Sequence, residues 1–236
     1  MTMVQRGTKA PARWRLLLCG LLLLTGCRIE PLTPDPGVDL PVPKGYSFSG
    51  LNDTTMIDVE APLRRELDAR VPAKLSDVLV FYRTELGKRG WQEKPDGAVV
   101  GADHVQIAFA APKGEAKLKL DRKDGGTTIN LVQRDRDAAT EAHVVPKSGR
   151  ATLLLGNLMR DNEAVFTVNQ QTIKLAAHVG TEPPKSPMLD LPPGKYPYSL
   201  QVAGRPDHNA TIELAADEAW GLTVFRDGVV EPLHLY

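Results

Sequence analysis

Lys74-Leu75-Ser76-Asp77-Val78-Leu79-Val80-Phe81-Tyr82-Arg83-Thr84-Glu85-Leu86-Gly87-Lys88-Arg89-Gly90-Trp91 is the stretch that decides the fold. Leu75, Val78, Leu79, Tyr82 and Leu86 recur at helical spacing, with Phe81 beside the stripe. The spacing predicts a helix over residues 74–89. Lys88 and Arg89 suit its last turn, and Gly90 is placed as its C-terminal cap. Trp91 then opens a strand. On either side the period changes from helical to alternating. Leu67, Ala69 and Val71 alternate with Asp68 and Arg70, and another strand is expected at 54–59. Downstream, strands are expected at 104–110, 117–120 and 127–132, separated by Pro112-Lys113-Gly114 and Lys123-Asp124-Gly125-Gly126. One helix on a small antiparallel sheet is an α+β unit, bounded at residues 45–134.

The motif Phe81-Tyr82-Arg83, Glu85-Leu86, Arg89-Gly90-Trp91 resembles a helix of small bacterial envelope domains. That resemblance implies no chemistry, and its aromatics are expected in the core.

Residues 135–149 are polar and small, with Pro146, Ser148 and Gly149, and are expected to be a linker. Residues 150–236 hold no convincing helix. Candidate strands lie at 151–155, 164–168, 172–176, 188–191, 196–202, 211–214, 221–225 and 230–235, with Asn169-Gln170 and Asp227-Gly228 as turn signals. So many short strands in so short a stretch predict a β-sandwich. Leu191-Pro192-Pro193-Gly194-Lys195-Tyr196, followed by Val202-Ala203-Gly204, is similar to PEGA and carboxypeptidase-regulatory-like sandwiches. Gly194 is expected there in a conformation other residues avoid. The resemblance implies a binding or spacer module.

The beginning of the chain has a different character. Arg6, Lys9, Arg13 and Arg15 precede an apolar run, Leu16 to Leu24, and no acidic residue stands before Glu30. A basic head, a short apolar run and small residues describe an exported signal peptide, residues 1–26. The run is too short for a spanning helix. Leu24-Thr25-Gly26-Cys27 resembles the lipobox of bacterial lipoproteins. That resemblance implies cleavage between Gly26 and Cys27 and a lipid on the Cys27 sulfur. Arg28, rather than an Asp, follows, which resembles the outer-membrane-sorted case. Residues 27–44 carry five prolines and are expected to be an extended tether that lifts the folded part off the bilayer.

Removing residues 1–26 takes four of the 29 basic residues and none of the 29 acidic ones, leaving a net charge of −4. An acidic body argues against nucleic acid as a partner. Cys19 leaves with the signal and Cys27 is consumed by the anchor, so no disulfide, cysteine–zinc site or thiol chemistry is expected. His104, His143, His178, His208 and His234 show no metal-ligand spacing, and no G-x-S-x-G context surrounds a serine. No metal and no cofactor are expected. Trp220, at a strand start, is the foremost ligand-contact candidate, joined by Tyr196 and Tyr198. The leading expectation is therefore a lipid-anchored, periplasm-facing envelope protein acting as a non-enzymatic binding or assembly module with an envelope protein partner. Two alternatives stand beside it. One is a cell-wall or carbohydrate-binding lipoprotein using exposed aromatics. The other is a hydrolase with a dispersed site, gathering His178 or His208 with Asp190 or Asp217.

Overall fold

Helix α1 (Leu75–Lys88) buries Leu75, Val78, Leu79, Phe81, Tyr82 and Leu86. It belongs to a computed structural model that describes residues 31–179 and 186–236. The expected signal and Cys27 lie outside the described residues. Gly90 closes the helix at φ +78°, and the Trp91 amide donates to the Leu86 carbonyl at 3.0 Å. A residue without a Cβ takes this left-handed position at least cost, so the carbonyls of the last turn keep donors.

Six strands lie under α1: β1 (Ser47–Thr54), β2 (Arg64–Val71), β3 (Gln92–Val100), β4 (His104–Ala111), β5 (Gly114–Lys123) and β6 (Gly126–Arg134). Their order is β1-β2-β6-β5-β4-β3, and every neighbouring pair is antiparallel. Alternation puts Leu67, Ala69, Ile107, Leu118, Leu120 and Leu131 on the helix side, in one core with the α1 stripe. Each such side chain contributes about 1.5–3 kcal/mol by leaving water. The other face of the sheet is polar. Gly126 is required at the β2–β6 approach, since a Cβ there would stand 2.6 Å from the Val71 carbonyl oxygen.

Two expectations are corrected in this part, the strand at 54–59 and the tether, and the strand after Trp91 forms with an interruption. The strand expected at 54–59 forms earlier, as β1, because Met56, Val59 and Ala61 pack elsewhere. The strand after Trp91 carries an irregularity between Glu93 and Ala98, where Pro95 cannot donate to the ladder. The tether expected up to residue 44 is folded from Pro31 onward. Asp35 donates to the Val42 carbonyl and Lys44 to that of Thr33, both at 2.8 Å, which makes a narrow hairpin. Leu40 and Val42 are buried in the first core. Two apolar side chains with a period of two outweigh the spacer-like proline composition around them.

The later strands are β7 (Ala151–Asn157), β8 (Ala164–Val168), β9 (Gln171–Leu175), β10 (Met188–Leu191), β11 (Gly194–Val202), β12 (His208–Leu214), β13 (Ala219–Val224) and β14 (Val230–His234). They form two four-stranded sheets, β10-β7-β13-β14 and β12-β11-β8-β9. β13 runs parallel to β7, and the other neighbours are antiparallel. Leu153, Leu155 and Leu222 of the first sheet and Phe166, Leu200 and Ile212 of the second share one core. The whole is a β-rich fold of several sheets. Gly194 is not in the left-handed region expected of it. The Tyr196 ring lies against it instead, and the Tyr196 hydroxyl donates to the Pro192 carbonyl at 2.7 Å.

The stretch expected to be a linker is an element of its own. Asp135 accepts from the amides of Asp137 (3.1 Å) and Ala138 (3.0 Å) and so caps α2 (Arg136–Glu141). Ala138, Ala139, Ala142 and Val144 are buried with Leu63, Leu154, Leu235 and Tyr236 in a third core. Small side chains let the helix approach the sheet closely, and they are also what made the stretch look like a linker. β7 consequently buries Leu153 and Leu155 on one side and Leu154 on the other, which explains its unbroken apolar run. Residues 31–236 form one compact unit.

Candidate functional site

The three aromatics singled out from the sequence do not form an open platform. Tyr198 is buried, 6 % exposed. Tyr196, two residues before it on β11, leans toward the same core with its hydroxyl engaged at Pro192. Trp220 stands on β13, in the other sheet, directly across from His234. The two rings stack at 4.3 Å between centroids and 10° between planes. The Trp220 indole N–H donates to Glu218 Oε2 at 2.9 Å. One indole face is therefore covered by its cross-strand partner. Strand alternation, which turns both tyrosines inward, is the other reason the platform is absent.

The groups considered for a dispersed hydrolase are not brought together either. Asp190 accepts from Lys147 Nζ at 2.9 Å and from Arg150 Nε, and these bonds hold its carboxyl below the usual carboxylate range. Asp217 accepts from the Gly149 amide at 2.8 Å. The His208 ring lies 5.9 Å from that of Tyr198, and His178 is exposed on a turn. Among the described residues no group of His, Cys, Asp and Glu is placed to hold a metal ion.

The strongest concentration of chemistry lies where the polar face of the six-stranded sheet meets the β13–β14 edge. The register of β2 and β6 sets Arg64 directly opposite Arg134. Their side chains are only 10 % and 9 % exposed. Like charges across a ladder repel, and two buried cations need counter-charges. Arg64 finds Glu66 at 2.8 Å. Arg134 faces Glu218 at 3.5 Å, donates to the Asp217 carbonyl at 3.0 Å and lies 5.4 Å over the Tyr236 ring. Glu66 also accepts from Asn130 Nδ2 at 2.6 Å.

His234 borders this group, its Nε2 3.8 Å from Glu218 Oε1. Burial, reinforced by Arg64 and Arg134, pushes its pKa down from 6.5 to about 4, against the pull of Glu218 and Glu66. The imidazole is therefore neutral at pH 7. Burial alone would raise the pKa of Glu66, but its bonds from Arg64 and Asn130 hold it below the ordinary value. Burial likewise acts upward on Glu218, and the Trp220 bond, with His234 and Arg134, outweighs it.

Between the walls lies a cavity of about 220 Å³ whose charged lining is Arg64, Lys117, Lys119 and Arg134 with Glu66, Glu115 and Glu218, beside His234. Arg64 Nε and His234 Nε2 are buried without a hydrogen-bond partner among the described residues. Guanidinium and ammonium donors on a fixed sheet surface suit a carboxylate or another planar anion. The sequence reading missed Arg64, Arg134 and Glu218. Arg64 and Arg134 sit at the two strand ends nearest the third core, and only the strand register reveals that they face each other.

No family model and no curated protein matches the sequence. Among solved structures the chain is similar to the N-terminal domain of AlgF from P. aeruginosa, at 21 % identity over 38 % of this chain and 98 % of that one, with a TM-score of 0.28.

Proposed function

We propose that the protein is a lipid-anchored bacterial envelope protein, facing the periplasm, that acts as a non-enzymatic binding or assembly module. The lipobox-like Leu24-Thr25-Gly26-Cys27 supports the anchor, and Arg28 supports sorting to the outer membrane. We read the first sheet with α1 as an α+β unit and the two later sheets as a β-sandwich of the PEGA-like kind. The observation that carries the binding role is the charged cavity, with Lys117 and Lys119 exposed beside two buried arginines. Those donors fit an acidic segment of an envelope protein partner better than a neutral sugar. The stacking of one Trp220 face on His234 favours this reading over an aromatic carbohydrate platform.

Two variants test this reading in cells. Cys27→Ser is expected to lose lipid incorporation and to leave the membrane fraction or accumulate as an uncut precursor. Lys117→Glu with Lys119→Glu is expected to keep the native circular dichroism but lose a protein crosslink that the native chain makes. Crosslinks unchanged by that charge reversal would sink the cavity as the binding site.

A further inference from the structure

The folding of residues 31–44 changes what the anchor can do. If Cys27 carries the lipid, as proposed above, only Arg28, Ile29 and Glu30 stand between it and Pro31. Four Cα–Cα steps span at most about 14 Å when fully extended. A chain that short holds the body against the lipid surface instead of lifting it off.

The hairpin also fixes which end is held. Thr33 and Lys44 are hydrogen-bonded beside the start of β1. At the hairpin's other end, Asp39 accepts from Arg65, at the start of β2, and from Arg89, at the end of α1. The hairpin thus runs the length of the sheet, and Pro31 enters where β2 finishes and α1 begins. The register collects further turns at that same end. Ser47 pairs with Arg70, Val71 with Thr127, Lys123 with Gly126, His104 with Asp121, and Val100 with Val105. Val99 and Val100, at the close of the edge strand β3, are 61 % and 55 % exposed there. Charge at this end is matched in part, Arg122 by Asp103 at 3.4 Å and Arg70 by Asp124 at 3.7 Å, while Lys74 and Lys123 are exposed.

We infer that this end of the six-stranded sheet, from the β1 start across to Val99 and Val100, is the face the protein turns to the bilayer. The occupant is a lipid surface. The short leash carries the inference, and the exposed Val99 and Val100 supply apolar contact at the far side of the same end. The opposite end, with the Pro112-Lys113 turn, then points into the periplasm.

Strand β5 supplies a ruler for the test. Lys123 is its last residue and Lys113 immediately precedes it, so the two exposed positions lie about 30 Å apart. The mature chain has no other free thiol once Cys27 is acylated. Lys123→Cys and Lys113→Cys can therefore each carry a bimane dye on the full acylated chain, reconstituted in phosphatidylethanolamine vesicles with a headgroup spin-labelled lipid. Quenching is expected to be several-fold stronger at 123 than at 113. A long Gly-Ser insert between Glu30 and Pro31 should remove most of the difference. Equal quenching at both positions, or stronger quenching at 113, overturns the assignment. So does a dye at 123 that is already shielded in the soluble Cys27→Ser chain, which would mark a second copy or a protein partner on this face. Mass analysis of the native chain separates the two levels. Absence of the acyl mass removes the anchor itself, whereas an acylated chain without the asymmetry removes only the orientation.

Discussion

Asn157 shows how one polar side chain can organise a bend at the end of an apolar strand. It is fully buried. Its Nδ2 donates to the carbonyls of Asn162 (2.9 Å), Leu175 (3.1 Å) and Ala176 (3.1 Å), and its Oδ1 accepts from the Met159 amide at 3.1 Å. Asn157→Ala strands these backbone groups away from water. The expected cost is about 2–4 kcal/mol, because buried partners left unpaired lose their full desolvation penalty. Urea denaturation measures it, and a loss below about 1 kcal/mol would mean that water takes over the bonds. The residue was not legible beforehand. An asparagine after Leu153-Leu154-Leu155-Gly156 reads as a turn former, and nothing local shows that three carbonyls from elsewhere converge on it.

Elements with a strong period were legible, and those built from small residues were not. The α1 stripe and the alternation of Val105, Ile107 and Phe109 on β4 each announce which side must be buried. α2 announces nothing, since Ala138 and Ala139 carry no hydrophobic signal beyond a methyl group. Yet Ala139 is fully buried in the third core. Ala139→Leu is expected to destabilise by about 1–3 kcal/mol through overpacking. Thermal melting would show it as a lower midpoint with a single transition, because α2 packs on both the first sheet and the later strands. A variant that melts as native, or that splits into two transitions, would show α2 to be a loose connection. The candidate site was illegible for a related reason. Its arginines come from different strands, and Glu218 and His234 follow more than eighty residues after Arg134.

At the scale of the whole molecule, the charged cavity makes stability depend on acid. His234 has a pKa of about 4 in the folded state against 6.5 when free. Between those values the unfolded chain binds more protons, so its contribution is complete above pH 6.5 and is lost as the pH falls toward 4. Glu66 and Glu218 act in the same direction. Their folded pKa values are lowered, so their contribution exists above the unfolded carboxylate range and disappears as the pH drops through the folded values. The melting temperature is expected to fall steadily from pH 7 to pH 4.5. His234→Phe keeps a ring against Trp220 but removes one titrating group, so its melting temperature should fall less over that range. Parallel curves for the two proteins would remove His234 from the explanation.

The hairpin at Pro31–Lys44 has a mechanical meaning as well. A pull on Pro31 meets the Lys44–Thr33 bond and then the Asp35–Val42 bond, one after the other, as a zip opens from its end. Leu40 and Val42 then come away from the core. That peeling lets out about 45 Å of chain before β1 carries any load. Stored against the sheet is thus a reserve of length, released by tension and rewound by the burial of two side chains.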